Sequence, residues 1–474
     1  MGISVVMQTG QSGMAASKSA ISTAGHNITN AHTDGFSRQR VETKAQQPEE
    51  GAGSRARVGR GVMVDRVSRL NDEYLEKQLR NSGREMAGLE EREFLLGHVE
   101  GIFNELDGEG LNRVVSRFFN DFRQLANEPE REALRETVRE SSKALVTDFR
   151  RLRSSSDDVV RMIDSRIDAS VQDLNSLTRH LRDLNMKIAA YEVGSGPAAN
   201  DLQDQRDIVL KKIASYVDVT TYQDEKGNVV VNLKGLGPLV VGPNAEQFST
   251  ARSKADDQGK VEGALDVMST AHAGSNVTHV LKGGKLGALL DLRDQTMTQV
   301  TTRLDDLAFG LTKSVNEVHA KGVDRIGQPA GNYFKDLAGP KGASEKFDLD
   351  DGIKLSTDRI ATAAQPDAPG DNRIALAISS LQGAKVMNGG KSTMDDFFNS
   401  IVGDVGVIRA RNRETREQQG NILRNLEKMR EQISGVSLDE ETANLLQYQH
   451  VYDASAKVIK VADEMLKTIL ELRP

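Results

Sequence analysis

The side chains best suited to chemistry are spread thinly through this sequence. Eight histidines stand among 474 residues, and none of them forms a ligand cluster. His26 and His32 are six apart on either side of an Asn-rich turn, rather than four apart on one helix face, and no Glu lies between them. That layout is not the one that holds a catalytic zinc. His98, His180, His272, His279, His319 and His450 are scattered and read as surface or packing residues. Asp348-Leu-Asp350-Asp351-Gly352 begins like a calcium loop, but its glycine comes too early for one. Gly283-Gly-Lys285-Leu lacks the spaced glycine and the Ser or Thr of a phosphate-binding loop. No nucleophile elbow with a supporting triad is present. Cysteine is absent, which removes disulfides, thiolate metal sites and a thiol nucleophile together. The sequence therefore predicts no enzyme, no cofactor and no metal.

Composition narrows the partners as well. The formal charge is −7 and no run of Lys or Arg is long enough to follow a phosphate backbone or an anionic membrane, so neither nucleic acid nor membrane is predicted as a partner. Met1-Gly-Ile-Ser-Val-Val-Met7 has no basic segment and its apolar run ends at Gln8, unlike a cleaved secretory signal. Hydrophobic residues make up 38% of the chain but aromatics only 4%, with no Trp, so the cores are predicted to rest on Leu, Ile, Val, Ala and Met. Such a mixture suits slender helix bundles.

With chemistry set aside, the elements carry the signal. Met7, Met14, Ile21 and Ile28 recur every seven residues, with the small residues Gly10, Ser17 and Ala24 following Ile3 on a second seam. A helix of this kind buries little on its own and is predicted to order only against another helix. The opposite end repeats the device. Ser437 and Glu440 read as a capping box, after which Leu445, Tyr452, Ile459 and Leu466 occupy one heptad position and Tyr448, Ser455, Ala462 and Ile469 the other. Between the ends, helix is predicted from about Asn71 to Tyr191, interrupted near Gly108 and Gly110 and again around Asn127-Glu128-Pro129. Its strongest heptads run Val160, Ile167, Leu174, Leu181, Ile188 and Ile163, Ser170, Leu177, Leu184, Tyr191, a stretch about 48 Å long. A matching helix places Ile401, Ile408, Thr415, Ile422 and Met429 against Val405, Asn412, Gln419, Leu426 and Ile433; its polar middle either fixes register or faces water. Strand and turn patterns begin at Tyr216 and persist with many glycines until helix returns over Gly287 to Ala320.

The predicted fold is mainly α with a nested β-rich part, α+β overall: an elongated, multi-domain chain whose N- and C-terminal helices pair as a coiled coil. Residues 1–70 with 436–474 would form a terminal polymerisation domain. Residues 71–215 with 283–320 and 383–435 would form a helical stalk, and 216–282 with 321–382 a reduced β-rich outer part carried at its far end.

One segment is distinctive: Gly25-His-Asn27-Ile28-Thr-Asn30-Ala31-His-Thr33-Asp-Gly35-Phe36-Ser37-Arg38-Gln39. Asn27 and Asn30 suit a helix end and Gly35 a turn. This stretch resembles the N-terminal signature of bacterial flagellar axial proteins, the rod, hook and hook-associated subunits. The family pattern has Pro at the place of Asp34 and Tyr at that of Phe36. Ser37-Arg38-Gln39 favours the hook-associated branch on the hook side of the hook–filament junction. Asn200-Asp201-Leu202 with Asp204-Gln205-Arg206-Asp207, the helix from Leu290 through Asn316 to His319, and Ser437 to Leu470 resemble the same branch.

The resemblance implies a structural subunit exported by the flagellar type III apparatus. Its partners would be further copies of itself in a ring, the hook protein, the second hook–filament junction protein, the export apparatus and a flagellar export chaperone. The assembly interface would comprise Met7, Met14, Ile21, Asn27, Ile28, Asn30, Ala31, Thr33, Gly35, Phe36, Ser37 and Arg38 at one end. At the other it would comprise Leu445, Tyr448, Tyr452, Ile459, Ala462, Leu466 and Ile469, and the chaperone would touch Leu438, Leu445, Tyr452, Ile459 and Leu466. Hook protein or the flagellin-like second junction protein is the nearest alternative, and an enzyme displayed on a flagellar scaffold a more distant one.

Overall fold

A computed structural model of the chain describes residues 2–47, 59–103, 110–192, 199–224, 228–253, 263–270, 274–368 and 370–471. Of the interruption predicted near Gly108 and Gly110, Gly108 lies outside them, and Gly110 stands just before a new helix begins at Leu111. Helix α1 (Gly2–Thr29) leads into a hairpin of β1 (Gln39–Ala45) and β2 (Val62–Arg69), which pair antiparallel with a bulge at Glu42/Thr43. The long helices follow: α2 (Glu73–Phe103), α3 (Leu111–Asn127), α4 (Glu132–Tyr191) and α5 (Asn200–Tyr216). Then come β3 (Val219–Gln223), β4 (Val229–Leu233), β5 (Gly237–Val241) and β6 (Asn244–Ala245), an antiparallel meander, and the separate pair β7 (Phe248–Arg252) and β8 (Leu265–Ser269). Helix α6 (Gly284–Asp291) passes through a π-helical turn into α7 (Thr298–His319). Three short helices, α8 (Ala343–Lys346), α9 (Asp351–Leu355) and α10 (Arg373–Ser380), precede α11 (Met394–Ser434) and α12 (Leu438–Glu471).

The 60 residues of α4 make a rod about 90 Å long, which sets the elongated form of the molecule. Its seam is dry: Ile163, Ile167, Leu174, Leu181, Leu184 and Ile188 are buried, and only the last position of the repeat, Tyr191, stands out in solvent. Helices α2 and α11 run antiparallel, which brings Arg430 onto Glu76 at 3.0 Å near one end and Arg409 onto Glu93 at 3.2 Å nearer the other. The polar middle of α11 divides between the two readings it allowed. Asn412 Nδ2 donates to Leu89 O at 3.1 Å and Gln419 Nε2 to Ser82 Oγ at 2.8 Å, so both address α2, whereas Thr415 bonds only within its own helix and is exposed. Ile408, Ile422, Met429 and Ile433 are left exposed on α11.

The two stretches grouped by sequence as one outer part meet α4 at separate places. Asn175 exchanges hydrogen bonds with both backbone groups of Phe248, and Asn185 donates to Val229 O at 2.9 Å, so β4 and β7 lie along the C-terminal half of α4. Residues 321–382 instead fold against its N-terminal half, where Arg135 donates to Ile360 O at 2.6 Å and Ser142 bonds Tyr333 Oη at 2.6 Å. Ser142 and Asn185 are separated by about 65 Å of helix. Strands β3–β8 are therefore carried along the stalk, while 321–382 lies at the end of α4 remote from the α1–α12 pair.

The core also corrects an expectation from composition. Phe118, Phe119, Phe122, Phe149, Tyr333, Phe334 and Phe347 are fully buried in one cluster that seals 321–382 onto α3 and α4. Aromatics are scarce over the chain but concentrated here, because flat rings fill the irregular space between a loop segment and two helices better than branched aliphatics do. Asn316 fixes that loop, accepting from the Tyr333 and Phe334 amides at 3.0 and 2.8 Å. His319, buried completely, accepts from Ala361 N at 2.9 Å and faces Gly331 O at 2.7 Å through its other nitrogen, and burial pushes its pKa down to about 4. Asp350 caps α9 by accepting from Gly352 N at 2.9 Å, which accounts for the acidic run that began like a calcium loop.

Candidate assembly interface

Helices α1 and α12 pack antiparallel along most of their length, so that Gly10 meets Ser455 and Ile459 while Asn27 meets Glu441. The contact is made by the small seam. A Cβ on Gly10 would stand 2.6 Å from Ile459 Cγ1 and 3.2 Å from Ser455 O, and one on Gly13 would stand 2.7 Å from Ser455 Oγ. Ala16, Ser17, Ala20 and Ala24 are buried beyond them, which lets the two backbones approach closely. Met7, Met14, Ile21 and Ile28 lie to the side of this seam and are half-buried.

On α12, Leu445, Tyr448, Tyr452 and Ile459 are half-buried, and Ala462 is completely buried. Leu438 remains 46% exposed, and past Ala462 the cover ends: Leu466 is 43% exposed and Ile469 56%. A second run, Val451, Val458, Val461 and Met465, is also exposed and stands one residue ahead of the first in each heptad. Helix α12 is thus apolar on two adjacent faces, of which α1 covers one. An open groove of about 630 Å³ follows the second face, bordered by Thr9, Gly10, Val451, Ala454 and Val458.

At the other end of α1 the distinctive segment closes into a polar joint. Asn30 ends the helix, donating from Nδ2 to His26 O at 3.0 Å, and Thr33 Oγ1 donates to Asn30 Oδ1 at 3.2 Å. Ala31 is half-buried. Gly35 takes a φ of 78°, and a Cβ there would stand 2.5 Å from Ile208 Cδ1, so its glycine serves both the turn and the docking onto α5. Phe36 sets its ring edge-on to His26 at 5.5 Å. Asn27 does not cap the helix as its position suggested. It is buried, and bonds the Gln39 amide and carbonyl and Glu441 Oε2, each at 3.0 Å, because the returning strand and α12 cover it. Arg38 joins the same carboxylate, donating to Glu441 Oε1 at 2.7 Å and to Glu440 Oε2 at 2.8 Å. Glu440 therefore points to Arg38 rather than back to its cap residue; only the other half of the box remains, a long 3.4 Å bond from Glu440 N to Ser437 Oγ.

Several members of this joint have no role that sequence alone assigned. Gln39 Nε2 donates to Asp201 Oδ1 at 2.8 Å, Asn200 Nδ2 to Val67 O at 2.9 Å, and Asp204 accepts from Ser37 N at 3.0 Å and Arg69 Nη1 at 2.7 Å. Burial pushes the Asp204 carboxyl above its ordinary range, against the pull of Arg69 and Ser37. Arg430 closes the joint from α11, reaching Gly35 O at 3.2 Å. Three stretches distant in sequence, 27–39, 200–207 and 437–441, meet here. All three are among the stretches that carry the sequence resemblance; Asn, Asp, Gln and Arg are dense in the first two, and the third contributes the acidic run Asp439-Glu440-Glu441.

Among the described residues no group of His, Asp and Glu is arranged to hold a metal ion, and no helix is long and apolar enough to cross a membrane. What the arrangement can do is join: a slender helical rod whose two ends close together, leaving an apolar strip open. These features define a structural subunit of the flagellar axial class. The family model described as "Flagellar hook-associated protein FlgK helical domain" matches residues 96–334, just over half of the sequence, and the chain belongs to the FlgK family of flagellar hook-associated proteins.

A second model, "Flagellar basal body rod FlgEFG protein C-terminal", matches residues 431–472 and so falls on α12. The chain is 29% identical to flagellar hook-associated protein 1 of Bacillus subtilis over 98% of its own length and 97% of the relative's. It is 25% identical to the protein of the same name from Escherichia coli, over 99% and 100%. The solved structure of the flagellar hook junction protein FlgK from Burkholderia pseudomallei superposes with a TM-score of 0.67 at 16% identity, covering 75% of this chain and all of that one, and shares the fold.

Proposed function

We propose that the chain forms the hook-side layer of the junction between flagellar hook and filament, as a nonenzymatic adaptor. The observation that carries this reading is the doubly apolar α12: its free face, Val451, Val458, Val461 and Met465, has the heptad spacing of a helix contact and is left exposed among the described residues. In the ring that face would meet neighbouring copies, while Met7, Met14, Ile21 and Ile28 of α1 complete the cover. Asn27, Asn30, Ala31, Thr33, Gly35, Phe36, Ser37 and Arg38 hold the pair at a fixed angle to the stalk. The terminal unit would comprise 1–70 with 436–474, and the hook protein and second junction protein would lie on its two sides.

Export would proceed through the flagellar type III apparatus with a chaperone on Leu438, Leu445, Tyr452, Ile459 and Leu466. Three of these, Leu445, Tyr452 and Ile459, are half-buried on the seam toward α1. A chaperone that holds them therefore competes with α1, and keeps the pair open until it is released.

Removal of Leu438 to Pro474 tests the assignment. The truncated chain should keep a folded stalk yet fail to join the flagellum, leaving cells without attached filaments and flagellin in the medium. Attached, working filaments would refute it.

A further inference from the structure

Between the start of α2, α5 and the β3–β4 pair lies a cavity of about 520 Å³, separate from the groove along α12. Six cationic and four acidic side chains border it among the described residues. Three of the acids are already engaged. Asp207 accepts from Arg69 at 2.8 Å, Asp218 pairs with Arg84 and stands 3.7 Å from Lys234, and Glu76 pairs with Arg430 at 3.0 Å and Lys211 at 2.8 Å. The fourth, Glu73, is exposed in the first turn of α2.

Three of the cations, Arg206, Arg80 and Lys77, are not balanced in the same way. Arg206 is only 2% exposed, yet its Nε and Nη1 find no hydrogen-bond partner among the described residues. A guanidinium out of water with unfilled donors is a costly arrangement, which proteins retain where something fills it. Burial holds it below the usual arginine range; the attraction of Asp207 works against this, and Arg69 adds like-charge repulsion. Arg80 makes one long contact, 3.4 Å to Thr221 Oγ1, and Lys77 stands one turn before it on the same helix face. Asn71 adds a buried amide oxygen that lacks a donor among the described residues.

We propose that this cavity binds a small phosphate-type oxyanion through Arg206, Arg80 and Lys77. The guanidinium donors match the oxygens of a tetrahedral anion. Asn71 Oδ1 selects within that class, since hydrogen phosphate carries a hydroxyl to donate to it and sulfate does not. Bound there, the anion would tie the meander to α2 and α5 at the joint where β3 leaves the stalk.

Calorimetric titration of inorganic phosphate into the full-length protein, in chloride buffer at fixed ionic strength, tests this. The expected result is saturable one-to-one binding, weakened about tenfold in Arg80→Gln and lost in Arg206→Met. Because Arg206→Met alters a buried position, Arg80→Gln and Lys77→Gln carry the test if that variant does not fold. Absence of saturable binding by the unaltered protein, or an unchanged titration in both Arg80→Gln and Lys77→Gln, overturns the proposal. Equal affinity for sulfate overturns the role of Asn71.

Discussion

Glu441 has a side chain only 4% exposed at the first turn of α12, and its charge is answered by Arg38 and Asn27. Removing one member of such a set leaves the other stranded, which costs more than the pair gains by forming. Arg38→Ala should destabilise the closure of α12 on α1 by about 1–3 kcal/mol, discounted because Arg38 itself is partly exposed. Hydrogen exchange at residues 438–450 should quicken in that variant while the stalk keeps its protection; unchanged exchange would show that the apolar seam alone holds the helix.

His319 makes a second prediction at this scale. Its folded pKa of about 4 lies below the ordinary imidazole value of 6.5, so between those limits the unfolded chain binds a proton that the folded chain does not. Stability contributed by neutral His319 is fully present above pH 6.5 and is lost as pH falls toward 4, by roughly 3 kcal/mol in all. His319→Gln should flatten the acid slope of unfolding free energy over that window. A slope equal to that of the unaltered protein would show that other groups set it.

At the scale of elements, what the sequence made legible was period, and what it hid was direction. The seven-residue repeat of α4 appears in the structure with its phase intact, because Ile163, Leu174 and Leu181 leave no second stripe of comparable size. In α1 two stripes share the same period, and hydrophobicity favours Met7, Met14, Ile21 and Ile28. The small stripe is the one closed by α12, since only Gly10 and Gly13 let Ser455 and Ile459 come so near. Asn412 and Gln419 could not be sorted from Thr415 until the partner helix supplied Leu89 O and Ser82. Longer-range facts were hidden altogether. Nothing in the pattern around Phe118 announces Tyr333, and Asn27 showed no sign of Glu441, 414 residues away.

The α1–α12 seam nevertheless gives a sharp test of its own. Ile459→Asp places a carboxylate against Gly10 in a contact that must be dry, so the terminal pair should open and incorporation into flagella should fail. The thermal transition of the stalk should stay within a few degrees of the unaltered protein, because α4 and its neighbours do not touch that position. Collapse of the whole fold would instead mean that the ends are part of the cooperative core.

Over the whole molecule, the structure is a long helical rod with a meander and a loop segment fastened at different heights, and one polar joint that fixes the end pair to it. The family shared with flagellar hook-associated proteins fits that division, since stacking requires a stiff body and sticky ends. The central claim is that the free face of α12 becomes buried among neighbours. The natural lack of cysteine makes this directly measurable, because a single introduced thiol is the only one in the chain. Val458→Cys should react readily with a maleimide in the secreted monomer and be shielded in purified flagella, while Thr147→Cys on the exposed side of α4 reacts in both. Equal labelling of Val458→Cys before and after assembly would contradict the account.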